Sequence, residues 1–156
     1  MNAARMFWTQ ETPAGEIVVV SGAAGVERIW FEIGALDLAE LVGDAAPRPD
    51  RAVARELDEW FSGSRHHFSV SVAWPSDLSP FARTVLETLA EEVPWGETVA
   101  YGELAELAGR PRAARAVGRI MSANPVPFVV PCHRVIAAGG RIGGYGGGRE
   151  AIGLKR

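Results

Sequence analysis

The segment that most restricts the fold lies at residues 124–135, where an apolar run leads into the one cysteine of the chain. Phe128, Val129 and Val130 precede Pro131, whose ring fixes the backbone, and Cys132 follows directly. The pattern predicts a short buried stretch that runs into a rigid corner. Such a corner would hold the Cys132 side chain at a defined place.

A lone cysteine has two interpretations. Most such residues are small buried hydrophobic side chains, whereas a minority are reactive thiols. The neighbours favour a thiol with a function: His133 and Arg134 follow it, an Asn-Pro pair stands at 124–125, and a glycine-rich stretch lies at 143–148. A single cysteine excludes an internal disulfide, and the three histidines have no metal-like spacing, so we expect no metal site.

The composition is that of an ordinary globular protein. With 156 residues, 47% of them hydrophobic and 22% charged, the chain can form one or two small domains with a real core. No apolar run approaches the length of a bilayer span, and Asn2, Thr9 and Gln10 stand where a signal peptide would need an apolar core. We therefore expect a cytoplasmic protein without a membrane partner.

The net charge of −3 conceals a strong asymmetry along the chain. Residues 1–106 contain 7 basic and 18 acidic residues, whereas residues 107–149 contain seven arginines and no acid. A basic part joined to an acidic part is typical of a local polyanion site, in which the acidic part limits non-specific binding. The basic run also contains the cysteine, which favours this interpretation over a merely solvated face. The seven arginines are Arg110, Arg112, Arg115, Arg119, Arg134, Arg141 and Arg149.

The first part of the chain alternates strand and helix signals. Residues 16–21 and 26–32 are rich in β-branched and aromatic residues and flank a Gly-Ala-Ala-Gly sequence, which predicts a hairpin. Helical spacing of apolar residues predicts a helix over 51–61, and period-two alternation predicts a half-buried strand over 67–72. We expect residues 1–74 to form a small α+β domain.

The second part is predicted to be mostly helical. A Ser-Pro pair at 79–80 is a good helix start, and this helix would run to about residue 93. Helices over 101–108 and 112–123, joined by Gly-Arg-Pro, have the layout of a helix-turn-helix, although such pairs are also common in purely structural roles. We expect this mostly helical domain to span 75–156 and to contain the cysteine segment.

The third predicted helix has one basic face. Arg112, Arg115 and Arg119 stand at near-helical spacing beside alanines and Gly118. Because the residues beside this basic face are small, the helix could approach a nucleic-acid groove closely.

Several motifs together resemble one family. They are Pro-Cys-His-Arg at 131–134, Arg-Ala-Val-Gly at 115–118, Asn-Pro at 124–125, Tyr101, and Gly-Tyr-Gly-Gly-Gly at 144–148. In these residues the chain resembles the O6-alkylguanine-DNA alkyltransferases, which are direct-reversal DNA repair proteins. The resemblance is closest over 81–148. It implies a ribonuclease-H-like domain at 1–74 and a DNA-binding, alkyl-acceptor domain at 75–156.

The resemblance implies a single-turnover repair reaction. In this family an alkylated guanine is rotated out of the duplex, and a cysteine thiolate takes the alkyl group permanently. Cys132 would be this nucleophile, and His133 would activate it as a base through a water molecule. The partner would be double-stranded DNA containing O6-alkylguanine, with O4-alkylthymine as a further candidate. A monomer without metal or cofactor is implied.

Roles for the DNA-facing residues follow from the same resemblance. Arg115 would fill the gap left by the rotated nucleotide, on a helix laid in the minor groove, and Arg112 would contact DNA beside it. Tyr101 would donate a hydrogen bond to the guanine. In the alternative, structural interpretation, the arginines are ordinary surface residues and Tyr101 belongs to the core.

The resemblance also assigns residues around the thiol. Asn124 would brace the turn that positions the cysteine, and Tyr145 would form a wall of the pocket or contact the leaving O6. The backbone near Val135 and Gly146 would read the guanine edge, and Gly146 replaces a serine found in many members. Alternatively, Asn124 is a helix cap, and Tyr145 and its glycines form a flexible loop.

The end of the chain departs from the family. Members continue past a basic pair, here Lys155-Arg156, into a helix with a glutamate that holds the histidine. We expect the sequence to be truncated at this point. The alternative is a protein without this carboxylate, for which we expect slower transfer and retained DNA binding.

Two other classes of function are open. A non-catalytic protein could bind the lesion and flag it for another pathway, but such relatives replace the cysteine, whereas Cys132 is present here. A helix-turn-helix transcription factor would need a dimerisation element, and the sequence shows none. The enzyme is therefore the favoured prediction.

Overall fold

The structure of the protein, a computed structural model, describes residues 4–137. The chain divides into two compact units, Met1–Pro75 and Ser76–Arg156. Strands predominate in the first unit and helices in the second, so the predicted α+β class, with strands early and helices later, is confirmed. No helix within residues 4–137 is long and apolar enough to cross a membrane.

The first unit contains a four-stranded sheet of order β3-β2-β1-β4. Strands β1 (Met6–Thr12), β2 (Gly15–Gly22) and β3 (Gly25–Trp30) are antiparallel neighbours, and β4 (Ala46–Pro47) pairs with β1 in parallel. The predicted hairpin is therefore present as β2 and β3. Strand β1 was not predicted, because its second half is polar and only partly buried.

The burial of the central strand β2 explains why residues 17–20 are all apolar. Ile17, Val18, Val19 and Val20 are all fully buried because neighbouring strands flank β2 on both edges and both sheet faces are covered. On one face Val18 and Val20 pack against residues of the short helix α1 (Leu38–Val42). Alternation places Ile17 and Val19 on the opposite face.

Helix α2 (Arg51–Phe61) has the bounds that the sequence predicted. The Asp50 side chain caps it by accepting hydrogen bonds from the backbone N–H groups of Ala52 and Val53. Glu56 of this helix is buried, which is unusual for a carboxylate and requires partners.

The segment 67–72 differs from the predicted strand. It forms a single bridge, between Val72 and Val26 of β3. The Glu56 carboxylate accepts hydrogen bonds from the backbone N–H groups of Ser69 (2.9 Å) and Val70 (3.3 Å) and from the Ser69 hydroxyl. These N–H groups are therefore bound to a side chain instead of a neighbouring strand, so a continuous ladder does not form.

The second unit contains three helices and a two-stranded sheet. The helices are α3 (Pro80–Glu92), α4 (Tyr101–Leu107) and α5 (Ala114–Ser122), and each packs against the other two. Strands β5 (Val99–Ala100) and β6 (Val135–Ile136) pair in parallel.

The three predicted helices are present, with one change at a boundary. Ser79 caps α3 by accepting from the N–H of Ala82, as its position before Pro80 predicts. Helix α5 begins at Ala114 because the N–H of Ala113 donates to the carbonyl of Arg110 in a turn (3.0 Å). Arg112 therefore lies in this turn before α5 and not on the helix.

The buried Glu56 generates a prediction about stability. Burial raises the pKa of Glu56, but its hydrogen bonds with Ser69 and Val70 and the positive charge of Arg65 outweigh burial, so the pKa lies below its ordinary value. We expect Glu56→Gln to lower the free energy of unfolding by about 2 kcal/mol at pH 7. Chemical denaturation of both proteins would measure this difference.

The same experiment has a pH dependence of known sign. Because folding lowers the pKa of Glu56, its contribution is fully present above the pKa of an unfolded glutamate and is lost as the pH falls through the folded pKa. The gap between the two proteins should therefore shrink in acid. Glu59→Gln, on the same helix in partly exposed ion pairs with Arg55 and Arg65, is the control and should cost under about 1 kcal/mol. A gap that did not change with pH would contradict the assignment.

Candidate active site

Cys132 lies in a tight turn directly after Pro131. Residues Cys132–Arg134 form one turn of 3-10 helix, closed by a hydrogen bond from the N–H of Arg134 to the carbonyl of Pro131 (2.9 Å). The N–H of Cys132 donates to Val130 (2.8 Å), and its side chain is buried, with the residue 4% exposed. Side chains of successive residues in such a turn are about 120° apart. The directions of the Cys132 and His133 side chains therefore differ by about 120° in this turn, compared with about 180° in a strand.

The loop before the cysteine is buried and is braced by Asn124. The Asn124 side chain donates to the carbonyl of Val130 (2.9 Å) and accepts from the N–H of Val126 (3.0 Å). A further bond joins the N–H of Val130 to the carbonyl of Val126 (2.9 Å). One side chain thus connects both ends of the loop whose last residues hold Cys132.

Phe128 adopts an unusual backbone conformation in this loop. Its φ of +72° lies in the left-handed region, which disfavours residues with a side chain. The Phe128 side chain is buried, so packing offsets the conformational cost. This feature had no signal in the sequence, because the strain follows from closure of the whole loop.

The small sheet brings the chain segments of Tyr101 and Cys132 together. Val99 pairs with Val135 and Ala100 with Ile136, so β5 runs beside the strand that begins three residues after Cys132. Tyr101, the first residue of α4, directly follows β5. Burial raises the pKa of Tyr101, and the nearby negative charge of an ionised Cys132 raises it further. The two side chains, 31 positions apart in sequence, are therefore electrostatic neighbours.

Helix α5 passes close to Tyr101. A β-carbon added to Gly118 would lie 4.0 Å from Cε1 of the Tyr101 ring. Arg115 is three residues earlier and so lies on the same face of α5. Its side chain is exposed. The face of α5 that carries the exposed Arg115 and Gly118 therefore lies against Tyr101 of α4.

The described arginines of the basic segment are not alike. Arg112, Arg115 and Arg119 are exposed, and the guanidinium of Arg110 lies 4.3 Å from the centre of the Phe81 ring. Arg134 instead is half-buried and takes part in an internal hydrogen bond. Counting charges in the sequence could not separate this arginine from the others, because its partner lies 41 positions away.

Of the three remaining predicted site residues, only Val135 lies within the described part of the chain. Val135 is buried at the start of β6, and its N–H donates to the carbonyl of Cys132. Tyr145 and Gly146 lie outside the described residues, as does the rest of the glycine-rich stretch. The structure thus brings Cys132 within electrostatic range of Tyr101, and places α5 beside that tyrosine.

Comparisons with known proteins agree with the predicted family. Residues 80–155 match the family model described as 6-O-methylguanine DNA methyltransferase, DNA binding domain. The chain is similar to the methylated-DNA–protein-cysteine methyltransferase of Methanosarcina acetivorans, with 36% identity over 90% of this chain and 88% of the relative. It is also similar to the constitutive enzyme of that name from Bacillus subtilis, with 33% identity over 94% and 89%.

Solved structures give the same result. The O6-methylguanine methyltransferase of Mycobacterium tuberculosis matches with a TM-score of 0.82 and 30% identity, over 96% of this chain and 89% of that chain. The structure of the same organism's OGT in complex with DNA also has a TM-score of 0.82, with 31% identity over 97% and 88%. The chain belongs to the methylated-DNA–protein-cysteine methyltransferase family.

The role of Asn124 as a brace can be tested by its removal. We expect Asn124→Ala to lower the free energy of unfolding by about 2 kcal/mol, because two hydrogen bonds are lost inside a buried loop. Thermal or chemical denaturation would measure the change. Ser122→Ala is a suitable control, since this exposed hydroxyl only bonds back to Gly118 within α5, and should change stability by under about 0.5 kcal/mol. Equal effects of both variants would contradict the brace.

Proposed function

We propose that this protein repairs DNA by transferring the alkyl group of O6-alkylguanine irreversibly to Cys132. One observation carries the proposal: in a chain of this family, the only cysteine is buried in a constrained turn next to Tyr101. The relatives are named for methyl transfer to a protein cysteine. Each molecule would therefore act once and then be consumed.

The reaction is a substitution at the alkyl carbon. The Cys132 thiolate forms a new carbon–sulfur bond while the bond from the same carbon to O6 breaks. The bonding electrons stay on the base, which takes up one proton and becomes guanine. No net oxidation or reduction occurs, and the thioether product is stable, which accounts for the single turnover.

Two neighbours would prepare the thiol and the base. A thiol with an ordinary pKa is mostly protonated at neutral pH, so His133, adjacent in the same turn, would act as base through a water molecule. Tyr101 would donate a hydrogen bond to the flipped guanine. A tyrosine hydroxyl is protonated at neutral pH and can donate, and the raised pKa of Tyr101 is consistent with this role.

The helix pair α4 and α5 would act as a helix-turn-helix that binds double-stranded DNA. The exposed Arg115 would enter the base stack and occupy the space left by the rotated nucleotide, while Arg112 in the preceding turn would contact phosphate. A damaged base pairs weakly, so rotating it out of the stack costs less than for a normal base. The protein would act as a monomer.

The remaining parts of the pocket are assigned by position. Asn124 would keep the cysteine turn in place, as its hydrogen bonds to the loop suggest. The backbone at Val135 and Gly146 would read the edge of the guanine, and Tyr145 would form a wall of the pocket.

The decisive experiment is the mass of the Cys132 peptide after incubation with an oligonucleotide that contains O6-methylguanine. We expect one methyl group in place of the thiol hydrogen, in a one-to-one ratio with the repaired base. Cys132→Ser should gain nothing, although it should still bind the oligonucleotide. Lesion-selective binding by the unaltered protein without any mass gain would instead support a lesion-binding protein without transfer activity.

The two DNA-facing arginines should have separable effects. We expect Arg115→Ala to lower the transfer rate at saturating DNA by about tenfold, because fewer bases are held out of the stack, which corresponds to about 1.4 kcal/mol. Arg112→Ala should instead weaken binding and reduce the salt dependence by about one phosphate contact. Single-turnover kinetics and binding at several salt concentrations would distinguish them. Identical behaviour of the two variants would contradict these assignments.

A further inference from the structure

The backbone carbonyl of Val93, at the carboxyl end of α3, needs a hydrogen-bond partner. Val93 precedes Pro94, and a residue before proline is disfavoured in the helical conformation. Val93 accordingly has φ −117° and ψ 89°, so the helix ends and its carbonyl group leaves the helical ladder. Val93 is buried, and an unsatisfied buried carbonyl is costly.

Arg134 supplies this partner. Its guanidinium Nη1 donates to the carbonyl oxygen of Val93 over 2.9 Å, across 41 positions of sequence. Burial lowers the pKa of Arg134, as expected for a cation removed from water, and within residues 4–137 no ion pair involves this side chain. A cation at the carboxyl end of a helix is also favoured by the helix dipole.

The position of Arg134 in the chain gives this contact its importance. Arg134 ends the 3-10 turn that begins at Cys132, and β6 begins at the next residue. The loop before the cysteine is held by Asn124, and the strand after it is held by pairing with β5. The bond to Val93 is a side-chain hydrogen bond that originates within the turn itself.

We propose that Arg134 is a positioning residue: by its bond to Val93 it fixes the turn of Cys132 against the carboxyl end of α3. It differs in this respect from the exposed arginines of the basic segment, which face solvent. The inference deepens the proposed function, because its kinetic consequence concerns alkyl transfer by Cys132.

The test compares Arg134→Met with Arg83→Met. Methionine keeps much of the apolar stem but cannot donate to Val93. Arg83 lies on α3 itself, in an exposed ion pair with Glu87, so its substitution removes the same charge from the same unit without affecting the turn. We expect Arg134→Met to slow transfer at saturating DNA by about tenfold or more, since small displacements of a reacting group are costly. Its affinity for undamaged DNA should equal that of Arg83→Met.

A second readout reports on the turn directly. Backbone amide exchange at Cys132, Arg134 and Val135 should be at least about tenfold faster in Arg134→Met than in Arg83→Met, because their hydrogen bonds close the turn. This measurement needs no DNA. If the unaltered protein transferred no alkyl group, the proposed function would fail, while amide exchange would still decide whether Arg134 fixes the turn.

Further variants separate the hydrogen bond from other causes. Arg134→Lys keeps the charge and one donor and should transfer faster than Arg134→Met. Where Arg134→Met does not fold, Arg134→Gln replaces it, since its shorter amide cannot span to Val93 and the same slow transfer is expected. An unchanged transfer rate in Arg134→Met or Arg134→Gln would overturn the proposal. So would a loss of DNA affinity with an unchanged rate at saturation, which would make Arg134 a phosphate contact.

Discussion

The parallel pairing of β5 with β6 is the constraint on which the candidate active site depends. Only two residues of each strand pair, yet they join the start of α4 to the end of the Cys132 turn. Tyr101 directly follows one strand, and Arg134 directly precedes the other. Because parallel strands need a long connection, the intervening residues 101–134 can form the helix pair α4 and α5 and the buried loop. The sheet thus holds the start of α4 and the segment that contains the thiol side by side.

The cysteine turn itself is held mainly by hydrogen bonds to the backbone. Asn124 connects the loop that precedes it, and Arg134 connects the turn to α3. Phe128 has a left-handed backbone, which residues with a side chain disfavour. The packing of its buried side chain therefore offsets the cost of closing the loop. Rigidity of this kind favours a reacting group in general, because its orientation is established before a substrate arrives.

Much of the architecture could be predicted from local signals. The hairpin of β2 and β3 and the helices α2 and α3 were predicted near their observed bounds, because turn residues, caps and apolar spacing act within a few residues. The strand over 67–72 was wrongly predicted, since the alternating pattern was present but the Glu56 carboxylate binds the N–H groups a strand would use. Helix α5 begins at Ala114 and not at Arg112, because the first two predicted residues belong to the turn that the hydrogen bond from Ala113 to Arg110 closes.

The sequence alone determined the family and the α+β class, because its motifs are specific, and it indicated Cys132, the only thiol of the chain, as the candidate nucleophile. Tertiary structure alone decided which residues meet. It brought the segments of Tyr101 and Cys132 together through two short strands, and it turned Arg134 from the basic segment towards a carbonyl 41 positions away. Contacts of this kind depend on the packing of separate elements, and one sequence contains no local signal for such distant pairs.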